Sequence, residues 1–178
     1  MDEFDAAMLL LRVALGLTMA AHGSAKVFSG GKLEGTAGWF DSIGMRPGRV
    51  HARLAAGAEM AAGLGLAIGL LTTFSAMGFV ALMFVAGYTV HRANGFFIVA
   101  DGWEYNFILA IVAVGVAVLG PGDWSIDHAI GIDTALDGWV GLAIAGAGGL
   151  AAGIGQLVAF YRPSVVDALT ADSHGGTT

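Results

Sequence analysis

The chain has no cysteine, only 3 prolines, and no more than 8 lysines and arginines in its 178 residues. Without a thiol, disulfides, thiolate metal sites, iron–sulfur clusters and CxxC redox chemistry are closed to this chain acting alone. The 14 acidic residues leave a net charge of -6, and no basic stripe interrupts it, so nucleic acid is not an expected partner. Charged residues are 12% of the chain, against about 25% in an ordinary soluble domain. A water-soluble monomer is effectively excluded.

What is present is apolar: 56% hydrophobic residues, a mean hydropathy of +0.75, and 29 glycines. The length suits one domain. The composition reads as an all-α integral membrane bundle. A bilayer core about 30 Å thick needs roughly 20 apolar residues at about 1.5 Å each. Five runs are predicted to cross it: 6–28, 54–71, 74–90, 105–119 and 139–160. The first is interrupted by Arg12, His22 and Lys26, and the second contains Glu59. The fourth is short and needs Trp103 and Tyr105 at the interface. The runs are continuously apolar, with none of the period-two alternation of a membrane barrel. The acidic start, Met-Asp-Glu-Phe-Asp, argues against a cleaved signal peptide.

The expected organisation is four membrane spans over 1–120, with a re-entrant or interfacial loop at 29–53. An acidic extracytoplasmic loop follows at 121–138, then a fifth membrane helix at 139–162 and a flexible polar tail at 163–178. Five crossings place Lys32, Arg46, Arg49, Arg53, Arg92 and Arg162 on one side and Asp123, Asp127, Asp133 and Asp137 on the other. The positive-inside rule then sets the N-terminus outside and the C-terminus in the cytoplasm of a multi-pass cell inner-membrane protein. Arg12, near the outer end of the first span, is expected to snorkel to phosphates. Small residues recur at four-residue spacing as Gly65 and Gly69, and as Gly141, Ala145, Gly149 and Gly153. Such ridges let helices approach closely. They serve packing within the bundle or, in the fifth helix, a homo-oligomer seam.

Polar side chains gather at one membrane level. His22 and Lys26 share a face at the inner end of the first span. Glu59 lies shortly inside the second, Tyr88, His91 and Arg92 close the third, and Glu104, Tyr105 and Asn106 open the fourth. An ionised side chain at mid-bilayer costs about 2.5–3.5 kcal/mol on insertion scales, so Glu59 needs a cation. A carboxylate–imidazole cluster in low dielectric can move protons; as a static ion-pair clip it would simply hold helices in register. Trp39-Phe40 in one loop, and Gly95-Phe96-Phe97 with Gly102-Trp103 in another, supply close backbone approach and flat aromatic faces. That combination suits a quinone headgroup.

Four segments carry a family resemblance: LLLRVALGLTMAAHGSAKVF, GWFDSIGMRP, AAGAEMAAGLGLAIGLLT and HRANGFFIVADGWEYNFIL. Over about residues 7–120 the chain resembles the DoxX family. The motif positions fall on His22, Lys26, Trp39, Glu59, Gly63, Gly95, Phe96, Gly102, Glu104 and Asn106. The resemblance implies a four-helix membrane bundle. Some members resemble membrane subunits of thiosulfate:quinone oxidoreductases, which work with a partner chain. Others associate with superoxide dismutase and a sulfurtransferase. The fifth helix lies outside the family core.

The expected function is therefore a quinone-reactive subunit of a membrane oxidoreductase complex. His22, Glu59 and Glu104 are the candidate catalytic groups: His22 bonds a quinone carbonyl, and either glutamate shuttles protons. Lys26, Trp39, Arg46, His91, Arg92, Phe96, Trp103, Tyr105 and Asn106 are the candidate substrate or quinone contacts. Lys26 and Arg46 would draw in an anion such as thiosulfate. No side chain carries electrons over distance, so quinone is the expected cofactor. Axial haem ligation by His22 and His91 is not expected, because two helical histidines are a weak pattern, and no metal ligand set is assigned. The alternative is a non-catalytic scaffold that anchors a partner enzyme. A transporter is disfavoured by the lack of inverted pairs of broken helices.

Overall fold

The computed structural model describes residues 3–163. Among these residues every regular element is helical. Helix α1 runs Glu3–Phe28, α2 Lys32–Ser42 and α3 Gly48–Ile68. Helix α4 spans Thr72–Asn94, passing from α-helix into a π turn at Gly87–His91 and a 3-10 turn at Arg92–Asn94. Helix α5 is Glu104–Leu119, α6 a single turn at Ile126–Ala129, and α7 Gly138–Phe160 with a π segment at Leu142–Gly148. The tail expected from 163 onward lies outside the described residues from 164.

By length and apolarity α1, α4 and α7 can cross a bilayer, and α5 is apolar but shorter. Helix α3 is long enough, but His51, Arg53 and Glu59 dilute its apolarity. It starts at Gly48, well before the expected residue 54, because arginine is a good helix former and only Pro47, in an extended conformation, marks the boundary. The segment expected to loop across 29–53 contains α2, which packs on α3.

The closest helix pair is α1 with α3. Gly16 and Gly63 face each other, and a Cβ on either would strike the opposite backbone; Gly23 meets Ala56 in the same way. Lipid offers no hydrophobic drive for association, so such close van der Waals approach holds the helices together. Helix α4 packs against α3, α5 and α7, with Leu66, Phe79 and Val116 buried between them. The ridge on α7 is used inside the chain: Gly141 abuts the Ala117 carbonyl of α5, while Gly149 and Gly153 abut Val80 and Phe84 of α4. Gly65 and Gly69 form no such ridge. Gly65 faces the Ser75 side chain, and Gly69 ends α3 in a left-handed conformation (φ 66°) against the Arg12 guanidinium.

Arg12 does not snorkel. It is fully buried, donating from Nη2 to the Trp124 carbonyl at 2.8 Å and from Nη1 to the Ala67 carbonyl at 3.4 Å. The cause is the segment 120–137, which folds back over this end of the bundle. Buried Asp127 accepts from the Leu71 and Thr72 amides at 2.7 and 2.8 Å, and its own amide donates to the Gly69 carbonyl at 2.8 Å. Asp5 accepts from the Asp123 amide at 2.8 Å. An uncovered arginine would reach for headgroups, whereas this one is supplied with carbonyls by its own chain.

Candidate functional site

At the opposite end of the bundle, Lys26 in the last turn of α1 meets Glu59 of α3. Its ammonium donates to both carboxylate oxygens, at 2.8 and 2.5 Å, and the side chains are only 20% and 11% exposed. The seam geometry explains why Lys26 makes the contact. Gly23 lies in the α1–α3 seam, and at about 100° per residue Lys26 sits about 60° from it. His22 sits about 100° away, stays exposed, and takes no side-chain hydrogen bond among the described residues.

The ion pair forms part of the wall of a cavity of about 270 Å³. Helix α3 lines it with a stripe at helical spacing: His51, Leu54, Ala55, Ala58 and Glu59. Helix α2 adds Trp39 and Phe40, α4 adds Val85 and Thr89, and α7 adds Gln156 and Phe160. The end of α7 is tied here by a backbone bridge between Met45 and Tyr161, with the Arg162 amide donating to the Gly44 carbonyl at 2.6 Å. His51 is buried, its ring edge-on to Phe160 at 4.9 Å and tilted to Phe40 at 6.0 Å. Its Nδ1 lies 3.4 Å from the Gln156 amide nitrogen, and its Nε2 is buried without a partner. His51 and Gln156 escaped the sequence reading.

Residues 7–92 match the family model DoxX. The chain carries a DoxX domain. No curated protein and no solved structure matches it. DoxX proteins are helical membrane proteins, so the apolar helices described above lie in a lipid bilayer. The match stops at 92, short of the 120 read from the sequence, and α5 and α7 lie beyond it. Lys26, Trp39, His51 and Glu59 belong to the DoxX domain, whereas Gln156 and Phe160 complete the cavity from outside.

The remaining candidates do not join this site. Glu104 accepts from the Ile98 amide at 2.9 Å and so pins the loop before α5. His91 Nδ1 contacts the Asp101 carbonyl at 2.7 Å, and neither His91 nor His22 lines either of the two cavities described here. Arg46 and Tyr105 are exposed, and the exposed Phe96 ring packs edge-on to Trp103 at 4.7 Å. Arg92, Trp103 and Asn106 line a second cavity, of about 530 Å³, between α4, α5 and α7. The single polar level read from the sequence is thus two sites, on different faces of α4.

On the cap over Arg12, ligand-type atoms of Asp123, His128 and Asp133 lie within 4.8 Å of one another, mostly exposed. His128 Nδ1 is 2.8 Å from Asp133 and 3.6 Å from Asp123. The hydrogen bond to Asp133 raises the histidine pKa, helped by the charge of Asp123, and the same bond lowers that of Asp133.

Proposed function

We propose that this DoxX protein is the quinone-reactive subunit of a membrane oxidoreductase complex, with the Lys26–Glu59 cavity as its headgroup site. The observation that carries the reading is an ion pair set in the wall of a cavity also lined by Trp39, Phe40, His51 and Phe160. At about 270 Å³ the space lies just below the 300–1,000 Å³ usual for small-molecule pockets, which suits one ring. Trp39, Phe40 and Phe160 supply apolar faces, and Lys26 and Gln156 supply donors for carbonyl oxygens. His51 Nε2 lacks a hydrogen-bond partner among the described residues, a deficit of about 1–3 kcal/mol that a small rearrangement around a ligand can remove.

Quinone reduction takes two electrons and two protons. Lys26, Glu59 and His51 are placed to hold and hand over protons. The electrons come from a reductant that this chain does not contain: a partner subunit or an oxidisable sulfur anion. Basic residues follow the same end of the fold, since the Met45–Tyr161 bridge brings the α2–α3 connection, with Arg46, and the first turn of α3, with Arg49, to the end of α7 that carries Arg162. This supports a multi-pass arrangement with that end in the cytoplasm. The test is binding of a short-tailed quinone to purified protein, followed by fluorescence quenching against a Trp39→Phe control. Glu59→Gln and His51→Leu should each weaken binding at least tenfold. Wild-type protein that binds no quinone sinks the proposal.

A scaffold role draws on a different observation. The loop between α4 and α5 presents Phe97 and Val99 at 66% and 93% exposure. As the contact of an anchored enzyme, this loop would lose its partner on Phe97→Ser with Val99→Ser, while Glu59→Gln would leave the complex intact.

A further inference from the structure

The larger cavity is a groove running along α4, α5 and α7, and the quinone proposal does not use it. From Asn106 to Val114 it follows about 12 Å of helix, at about 1.5 Å per residue. Its deep end is wholly apolar, with Val80, Val114, Leu142 and Leu150. Its other end is polar. Arg92 lies with its guanidinium carbon 4.2 Å from the Tyr88 ring centre and has no carboxylate partner among the described residues. Asn106, only 8% exposed, gives one N–H to Met83 Sδ at 3.7 Å, a weak acceptor. Its other N–H and its carbonyl oxygen take no hydrogen bond among the described residues.

Two further features single the groove out. Both π segments of the described residues line it, through Gly87 and Tyr88 on α4 and through Leu142 and Gly146 on α7. Such insertions are rare and gather at functional sites. The walls are also parallel to helices that cross the bilayer, with the polar end at the helix termini, where headgroups lie. A chain with a charged end fits this shape better than a ring does.

We infer that the groove holds one anionic phospholipid. An acyl chain lies between α4, α5 and α7, the phosphate sits on Arg92, and the free Asn106 N–H meets an ester carbonyl. The charge is complementary: among the described residues Arg92 is a cation without a counter-ion, at the mouth of an apolar slot. Arginine matches phosphate by paired, directional hydrogen bonds. Phosphatidylglycerol is the simplest lipid of this class.

The test uses the full chain, stripped of lipid in detergent and returned to mixed phosphatidylglycerol–phosphatidylcholine nanodiscs, with retained lipid counted by native mass spectrometry after gentle release. One phosphatidylglycerol should remain. A Cβ on Gly146 meets only Leu142 Cδ1 at 3.7 Å and Val114 Cγ2 at 4.0 Å, so a side chain there is tolerated and occupies the groove. Gly146→Leu should cut retention at least fivefold, as should Arg92→Gln, whose surface position leaves folding undisturbed. Gly57→Ala, which adds a methyl in open space on α3, should leave retention unchanged. Equal retention of phosphatidylcholine, or undiminished retention in both groove variants, overturns the inference. So does a quinone displaced by Gly146→Leu but not by Lys26→Gln, which would also move the headgroup site away from Glu59. Failure of quinone binding alone leaves the lipid count untouched, so the two proposals fall separately.

Discussion

Lys26 and Glu59 are 33 residues apart in sequence, and the lysine ammonium holds both oxygens of the carboxylate. They meet because glycine at positions 16, 23 and 63 brings α1 and α3 into backbone contact. The same closeness that lets two helices associate in lipid also shelters an ion pair between them.

Removing one partner strands the other. Lys26→Met should destabilise the protein by roughly 3 kcal/mol, the low end for breaking a buried pair, since part of the lysine reaches solvent. Lys26→Met with Glu59→Leu should recover most of that loss. Thermal unfolding of the four proteins of this cycle in one detergent gives the coupling directly. Additive losses would mean that the pair contributes nothing as a pair.

Two glycines of α3 should respond oppositely to alanine. A Cβ on Gly63 would lie 2.6 Å from the Ala20 nitrogen, so Gly63→Ala forces the helices apart and should cost about 1–3 kcal/mol. Gly57 has open space around it, so Gly57→Ala should stabilise α3 by about 0.5–1 kcal/mol through helix propensity. The melting temperatures of the two variants should straddle that of the parent. Shifts of the same sign would contradict the seam.

The far end of the bundle depends on Arg12. Arg12→Met leaves the Trp124 and Ala67 carbonyls without their donor and should cost roughly 2 kcal/mol. The loss should be local first, seen as faster amide exchange across 120–137 while α5 keeps its protection. Unchanged exchange in that segment would show that the cap stands without the arginine.

The cap should also feel pH. His128 titrates above its ordinary value because Asp133 bonds it, so its contribution is full at low pH and lost as pH rises through the raised pKa. Asp133 is lowered by the same bond, so its contribution is present at higher pH and lost as pH falls through the lowered pKa. The pair is intact between the two. A histidine titration by NMR should place His128 above the ordinary range, and Asp133→Asn should bring it down. A His128 titration indifferent to that change would refute the pairing.

The long apolar runs made α1, α4 and α7 legible, because apolarity and length are properties of the chain itself. Glu59 and Lys26 were legible for the same reason: charges inside such runs demand partners. His51 was within reach, because it lies eight residues before Glu59 on the same helical stripe as Ala55. Apolarity begins only at 54, so a span drawn from apolarity alone omits it, whereas Pro47 and not Arg53 marks the start of the helix. Gln156 was out of reach, since nothing local to α7 reveals that a backbone bridge at Met45 and Tyr161 swings its end onto α3. The split between the two cavities was equally hidden. Sequence spacing sets Thr89 and Arg92 on the same membrane level, and only the packing of α4 between α3 and α5 sends them to different sites.

The most direct test of the central claim is photolabelling with a short-tailed azido-quinone, mapped by peptide mass spectrometry. The account predicts adducts on peptides carrying Trp39, His51 or Phe160, reduced at least tenfold in Glu59→Gln and by excess unlabelled quinone. Adducts confined to 80–114, or labelling that neither Glu59→Gln nor competing quinone reduces, would contradict it.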